Sequence, residues 1–105
     1  MKKYVLILAL LMVCSAVQAQ EQCKSISAFA NALMTARQSG LSAVEVTFSV
    51  CNSPTVATDK DVKALCVLYV TQAWTTPQFT TPEYQLQAIR DFTDTKFLEC
   101  MRSLR

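Results

Sequence analysis

The stretch "CKSISAFANALMTARQSG", Cys23 to Gly40, decides how this chain folds. Within it Ile26, Phe29, Ala30, Leu33 and Met34 fall at i, i+3, i+4, i+7 and i+8, the spacing of one apolar stripe along an amphipathic helix over Lys24–Gln38. Gly40, the only glycine of the sequence, stops that helix, because glycine accepts the left-handed conformation of a helix C′ position. Arg37 lies in the last turn, where a cation suits the negative end of the helix dipole. An apolar stripe of this length has to be covered by other elements, and the chain on either side supplies them.

Downstream, "LSAVEV" (Leu41–Val46) reads as a helix start. Ser42 is the N-cap, Glu45 completes a capping box three residues on, and Leu41 with Val46 forms a hydrophobic staple. The β-branched run from Thr47 to Val50 leaves a strand as the alternative there. "NSPTVATD" (Asn52–Asp59) is turn chemistry, with Thr58 as N-cap and Asp61 at N3 of a third helix. Val62, Leu65, Cys66, Tyr69, Val70 and Ala73 hold helical spacing, which predicts a core helix over Asp59–Trp74. "TTPQFTTP" interrupts it, and Thr81-Pro82 opens the last helix as N-cap and proline at N1. That helix runs through Leu86, Ile89 and Phe92. Its phase then slips toward Phe97, Cys100 and Met101, so a kink or a break into a fifth helix is expected at Thr93-Asp94-Thr95.

Upstream lies a secretory leader. Lys2 and Lys3 precede an apolar run from Tyr4 to Val17, closed by Val17-Gln18-Ala19. The run is shorter than the ~20 apolar residues a membrane span needs. Cleavage after Ala19 leaves residues 20–105 as a single helical domain. The alternative is a lipid anchor on Cys14, but the lipoprotein signal wants a small residue before its cysteine and Val13 stands there. Loss of Lys2 and Lys3 brings the formal net charge from +2 to zero. That balance lacks the basic footprint of a nucleic-acid binder.

After cleavage Cys23, Cys51, Cys66 and Cys100 remain, an even number in a short exported chain and therefore a disulfide framework. Zinc is disfavoured because the chain has no Cys-x-x-Cys and no histidine, so no metal or other cofactor is expected. Four cysteines allow three pairings. Four helices with short loops pack most simply up-down-up-down, which brings Cys23 beside Cys100 and Cys51 beside Cys66. The expected fold is thus all-α, a small four-helix bundle (five helices with the kink) stapled by Cys23–Cys100 and Cys51–Cys66.

The absence of histidine removes the commonest general base and every Ser-His, Cys-His and His-metal site. Asp91 and Asp94 are the closest carboxylate pair, three apart on a helix. With no cleft inferred around them they read as solvated charges rather than a glycosidase pair. A non-enzymatic function follows as the expectation. The candidate contact surface is "AWTTPQFTTPEY" (Ala73–Tyr84), where Trp74, Phe79 and Tyr84 flank Pro77 and Pro82. Aromatics on a proline-stiffened loop offer large contact area at low ordering cost. In a thin core, Trp74 and Tyr84 are expected to fold back onto the bundle and Phe79 to meet a partner.

Cys23 opening a helix, Arg37-Gln38-x-Gly40, Ala73-Trp74 before Pro77, Glu83, Ala88-Ile89-x-Asp91-Phe92 and a final Cys100 together resemble a group of small exported proteins of Gram-negative bacteria and their phages, a group to which no activity is attached. Cys66-Val67-Leu68-Tyr69 resembles the Cys-x-x-Tyr part of Tai-type immunity proteins of type VI secretion systems, although Gln72 stands where their glycine follows. These resemblances imply a periplasmic, disulfide-stapled, single-domain helical protein and add no activity; a module that binds or inhibits an exported protein is the expected function because it needs only a rigid scaffold and one contact surface. The alternatives are an acid-stress or envelope chaperone of the small helical type and, less favoured, a small envelope enzyme.

Overall fold

A computed structural model of the chain describes the backbone of residues 2–103 and the side chains of residues 19–103. The side chains of the leader's apolar run, and that of Cys14, lie outside the described residues. The elements are α1 (Lys2–Gln38), α2 (Ala43–Val46) running on into a π-helical segment (Thr47–Cys51), α3 (Pro54–Ala57), α4 (Lys60–Thr75) and α5 (Pro82–Ser103); among the described residues there is no strand. α1 starts upstream of the expected Lys24 because Gln20, Glu21 and Gln22 are sound helix formers and nothing there breaks the ladder.

Each helix end has a local cause. At the end of α1 the Leu41 amide donates to the Ala36 carbonyl and the Gly40 amide to the Arg37 carbonyl, both at 3.1 Å, which is a Schellman motif. It requires the φ of +90° that Gly40 adopts. Ser42 caps α2 by accepting from the Glu45 amide at 3.1 Å, as its position in the sequence predicts. The strand alternative over Thr47–Val50 is not realised. Thr47 Oγ1 donates to the Ala43 carbonyl (2.7 Å) and Ser49 Oγ to the Glu45 carbonyl (2.8 Å), and these back-bonds accompany the widening of the helix to π geometry.

Two expectations are corrected. Thr58 does not cap α4, because it is already the helical C-cap of α3, with φ −71° and ψ −21°. Asp59 is the first extended residue after it and caps α4, its carboxylate accepting from the amides of Asp61 (2.9 Å) and Val62 (3.3 Å). Nor does α5 break at Thr93-Asp94-Thr95; it is one helix, and α3 supplies the fifth. The slip in phase came from placing Leu86 on the inner face, where in fact it is 55% exposed. The face that turns inward is Gln85, Ala88, Ile89, Phe92, Thr93, Lys96, Phe97, Cys100 and Met101, an unbroken 3–4 repeat once the polar members are admitted.

The helices run up, down, up, down. The Leu41 carbonyl at the start of the second limb accepts from Trp74 Nε1 at the end of α4 (3.1 Å), while Cys51 at the foot of that limb is bonded to Cys66 in α4. α5 returns antiparallel to α1 and is bonded to it through Cys23–Cys100. Both expected disulfides are therefore present, with Cα atoms 5.5 and 5.6 Å apart. α1 is the central element, flanked from Cys23 onward by α5 and by α4 and α2 on its other side. Its Ala30, Leu33 and Met34 meet Val46, Tyr69, Val70, Ala73 and Ala88 in one buried cluster. Ala30 and Ala73 are fully buried, small residues where α1 and α4 approach.

Two bridges in a small chain are what exported proteins of oxidising compartments carry. No helix is long and apolar enough to cross a membrane among the described residues.

Candidate functional site

At the Gly40 end of the bundle the segment between α4 and α5 is fixed by one buried side chain. Gln38, 5% exposed, lies on the apolar stripe of α1 one turn beyond Met34. Its Nε2 donates to the Pro77 carbonyl (2.9 Å), and its Oε1 accepts from the Phe79 amide (2.8 Å), so the side-chain amide pairs with the loop as a strand neighbour would. Arg37 Nε donates to the Thr76 carbonyl at 3.0 Å. Arg37 therefore holds the loop in addition to its expected place at the dipole's end. From the other side Gln85 Nε2 donates to the Phe79 carbonyl at 2.7 Å. Pro77 and Pro82 remove two φ rotations from the same segment. The loop is thus rigid before any partner arrives.

Beside it opens a groove of about 570 Å³, with Met34 at its floor and Phe79, Tyr84, Ala88 and Phe92 on its walls. Asp91 is its single charged lining residue, with Thr76, Gln87 and Thr95 as further polar ones. Of the three aromatics singled out from the sequence, Trp74 is half-buried against the core and its indole donates to Leu41, as expected. The other two are exposed in the reverse of the expected order. Phe79 is half-buried and packs on the core, whereas Tyr84 is 58% exposed and stands over Phe79 with ring centroids 5.9 Å apart. The reason is the Gln38 clasp, which draws the Phe79 backbone toward α1, while Tyr84, in the first turn of α5, projects from a helix whose inner face starts at Gln85. Trp74 does not line the groove; Phe79 and Tyr84 share it.

Asp91 and Asp94 are both exposed, and only Asp91 borders the groove, so the structure does not bring them together on one cleft. Among the described residues, no three His, Cys, Asp or Glu side chains converge as a metal site would require.

A smaller groove of about 280 Å³ lies near the Cys23–Cys100 end, between Ile26 of α1, Leu65 and Leu68 of α4 and the last turns of α5. Lys96 forms part of it, although only 4% exposed. Its ammonium is 3.1 Å from Glu99 Oε2 and lies over the rings of Tyr69 (5.1 Å) and Phe92 (5.4 Å), so an ion pair and two aromatic faces replace the water it has lost. Burial raises the Tyr69 phenol above its ordinary pKa, and the nearby Glu99 carboxylate raises it further. Gln72 Oε1, also in this groove, is buried with no hydrogen-bond donor among the described residues.

Sequence reading missed Gln38 and Lys96 as organising residues, yet each carries a signal. Ala30, Met34 and Gln38 are spaced by four, as are Phe92, Lys96 and Cys100, so each polar residue occupies an inward position of its helix. No known protein family, curated protein sequence or solved structure matches the chain.

Proposed function

We propose that the chain is exported, loses residues 1–19 and works in the periplasm as a non-enzymatic binding or inhibitory module that takes a partner protein across the Phe79–Tyr84 groove. One observation carries this reading: the exposed ring of Tyr84 over half-buried Phe79, and the open, mostly apolar groove they share, stand beside a loop fixed in advance by Gln38, Arg37 and Gln85. Binding then orders little that is not already ordered, which is how a small surface reaches useful affinity. The inhibitory form of the reading follows the resemblance to small stapled helical immunity proteins.

The test uses a photo-crosslinking residue at position 84 in the full precursor expressed in a Gram-negative host. A discrete adduct is expected from position 84 and none from position 98 on the far part of α5. Tyr84→Ala should weaken capture of the adducted protein by about tenfold or more at unchanged melting temperature, since exposed hot-spot aromatics are worth ~2 kcal/mol. Trp74→Ala should instead lower the melting temperature. Equal crosslinking from both positions would sink the groove as the binding surface.

A chaperone reading is favoured by a separate observation. Leu41, Val44 and Phe48 are all exposed large apolar residues of the second limb. Its mark would be lost near-UV with retained far-UV circular dichroism at about pH 2 to 3. A cooperative loss of both signals removes it.

A further inference from the structure

We infer that Gln20 is a modification site, converted after export to an N-terminal pyroglutamate. The inference rests on the proposed cleavage after Ala19, which makes Gln20 the first residue and the start of α1 in the working chain. Its side chain is exposed, and no hydrogen bond from a described residue engages it. The neighbouring carboxylate that would otherwise hold a new α-ammonium, Glu21, is turned to Lys24 at 3.4 Å. Three residues on, Cys23 is covalently tied to α5, so the new terminus is the end of an anchored helix rather than a free tail. A positive charge there opposes the positive pole of the helix dipole. The free amine is the attacking form.

The chemistry is internal and balanced. The α-nitrogen attacks Cδ of its own side-chain amide and forms the N–Cδ bond of a five-membered lactam. The Cδ–Nε2 bond breaks, and the side-chain nitrogen leaves as ammonia after taking a proton from the attacking nitrogen. No oxidant, reductant or second substrate enters. The product is a neutral terminus, which removes the unfavourable charge from the first turn and leaves aminopeptidases no α-amine to grip.

Intact-mass measurement of the undigested protein, purified from the periplasmic fraction of cells expressing the full precursor, decides the matter with fragmentation of its N-terminal end. The expected result is a chain of residues 20–105 with both disulfides, lighter by one ammonia and refractory to stepwise N-terminal degradation. The Gln20→Glu variant, whose cyclisation must expel water and is far slower, should be cleaved at the same bond and retain a free amine. A mature chain that begins with unmodified Gln20 after prolonged incubation overturns this inference and leaves the cleavage reading standing. A chain that begins elsewhere, or a lipid-bearing Cys14 terminus, overturns both.

Discussion

Gln38 does by one side chain what a strand does by its backbone, and its removal has a calculable cost. In Gln38→Leu the half-buried Phe79 amide and the carbonyl of exposed Pro77 lose their partner. The variant should be less stable by about 1 kcal/mol in urea unfolding, the net worth of a typical hydrogen bond. Hydrogen exchange should quicken at Phe79 ahead of the α4 core. Tyr69 gives a test in pH. Its pKa in the fold is raised above 10.0, first by burial and then by Glu99, so the folded chain holds the phenolic proton more tightly than the unfolded chain does. The stability this contributes is fully present below about pH 10 and is lost as pH rises through the folded value, because the unfolded chain ionises first. Urea midpoints measured across that range should fall more steeply for the native sequence than for Tyr69→Phe. Identical slopes would mean that the phenol is hydrated in the fold.

At the scale of elements, the ends of helices were legible in the sequence and the polar members of their inner faces were not. Gly40 and the Ser42–Glu45 box announce a stop and a start by chemistry that acts within a few residues. Replacing Gly40 by alanine should cost about 1–2 kcal/mol, the strain of a left-handed φ on a residue with a Cβ. The neighbour that Cβ would meet, Gln78 Nε2 at 3.0 Å, can swing aside, so the backbone carries most of the penalty. Gly40→Asn should cost less, since asparagine tolerates that region; calorimetric melting of the pair checks the order. The continuity of α5 was harder to read because hydrophobicity is a proxy for burial. Leu86 is apolar yet exposed and Lys96 is charged yet buried, and only the packing of Tyr69 and Phe92 around the lysine decides between them. Likewise the groove depends on how far Gln38 draws the loop toward α1. Sequence marked the segment Ala73–Tyr84, part of which borders the groove, and assigned exposure to Phe79 instead of Tyr84 because the clasp is a contact between residues some forty positions apart.

For the whole molecule, the order of the helices made the disulfide pairing readable, since an up-down-up-down path puts Cys23 and Cys100 at one end of the bundle and Cys51 near Cys66 of the next helix. The two bridges differ in reach, with sequence separations of 77 and 15. In the chain-entropy treatment they restrict the unfolded chain by about 4.5 and about 3 kcal/mol. Replacing the Cys23 and Cys100 pair by serine should therefore lower stability more than replacing the Cys51 and Cys66 pair, read as the shift in urea midpoint. A larger loss from the shorter bridge would mean that the native fold, and not the unfolded ensemble, carries the difference. The placement of the longer bridge has a mechanical consequence. A pull applied to the two ends of the mature chain enters at Cys23 and leaves at Cys100, so the tension runs through a single covalent link and bypasses every helix between them. The domain becomes an inextensible bead under load, and stretching it in a force spectrometer should show no unfolding extension until that link is reduced, after which the released chain lengthens by the contour it had enclosed less the loop that Cys51–Cys66 still closes.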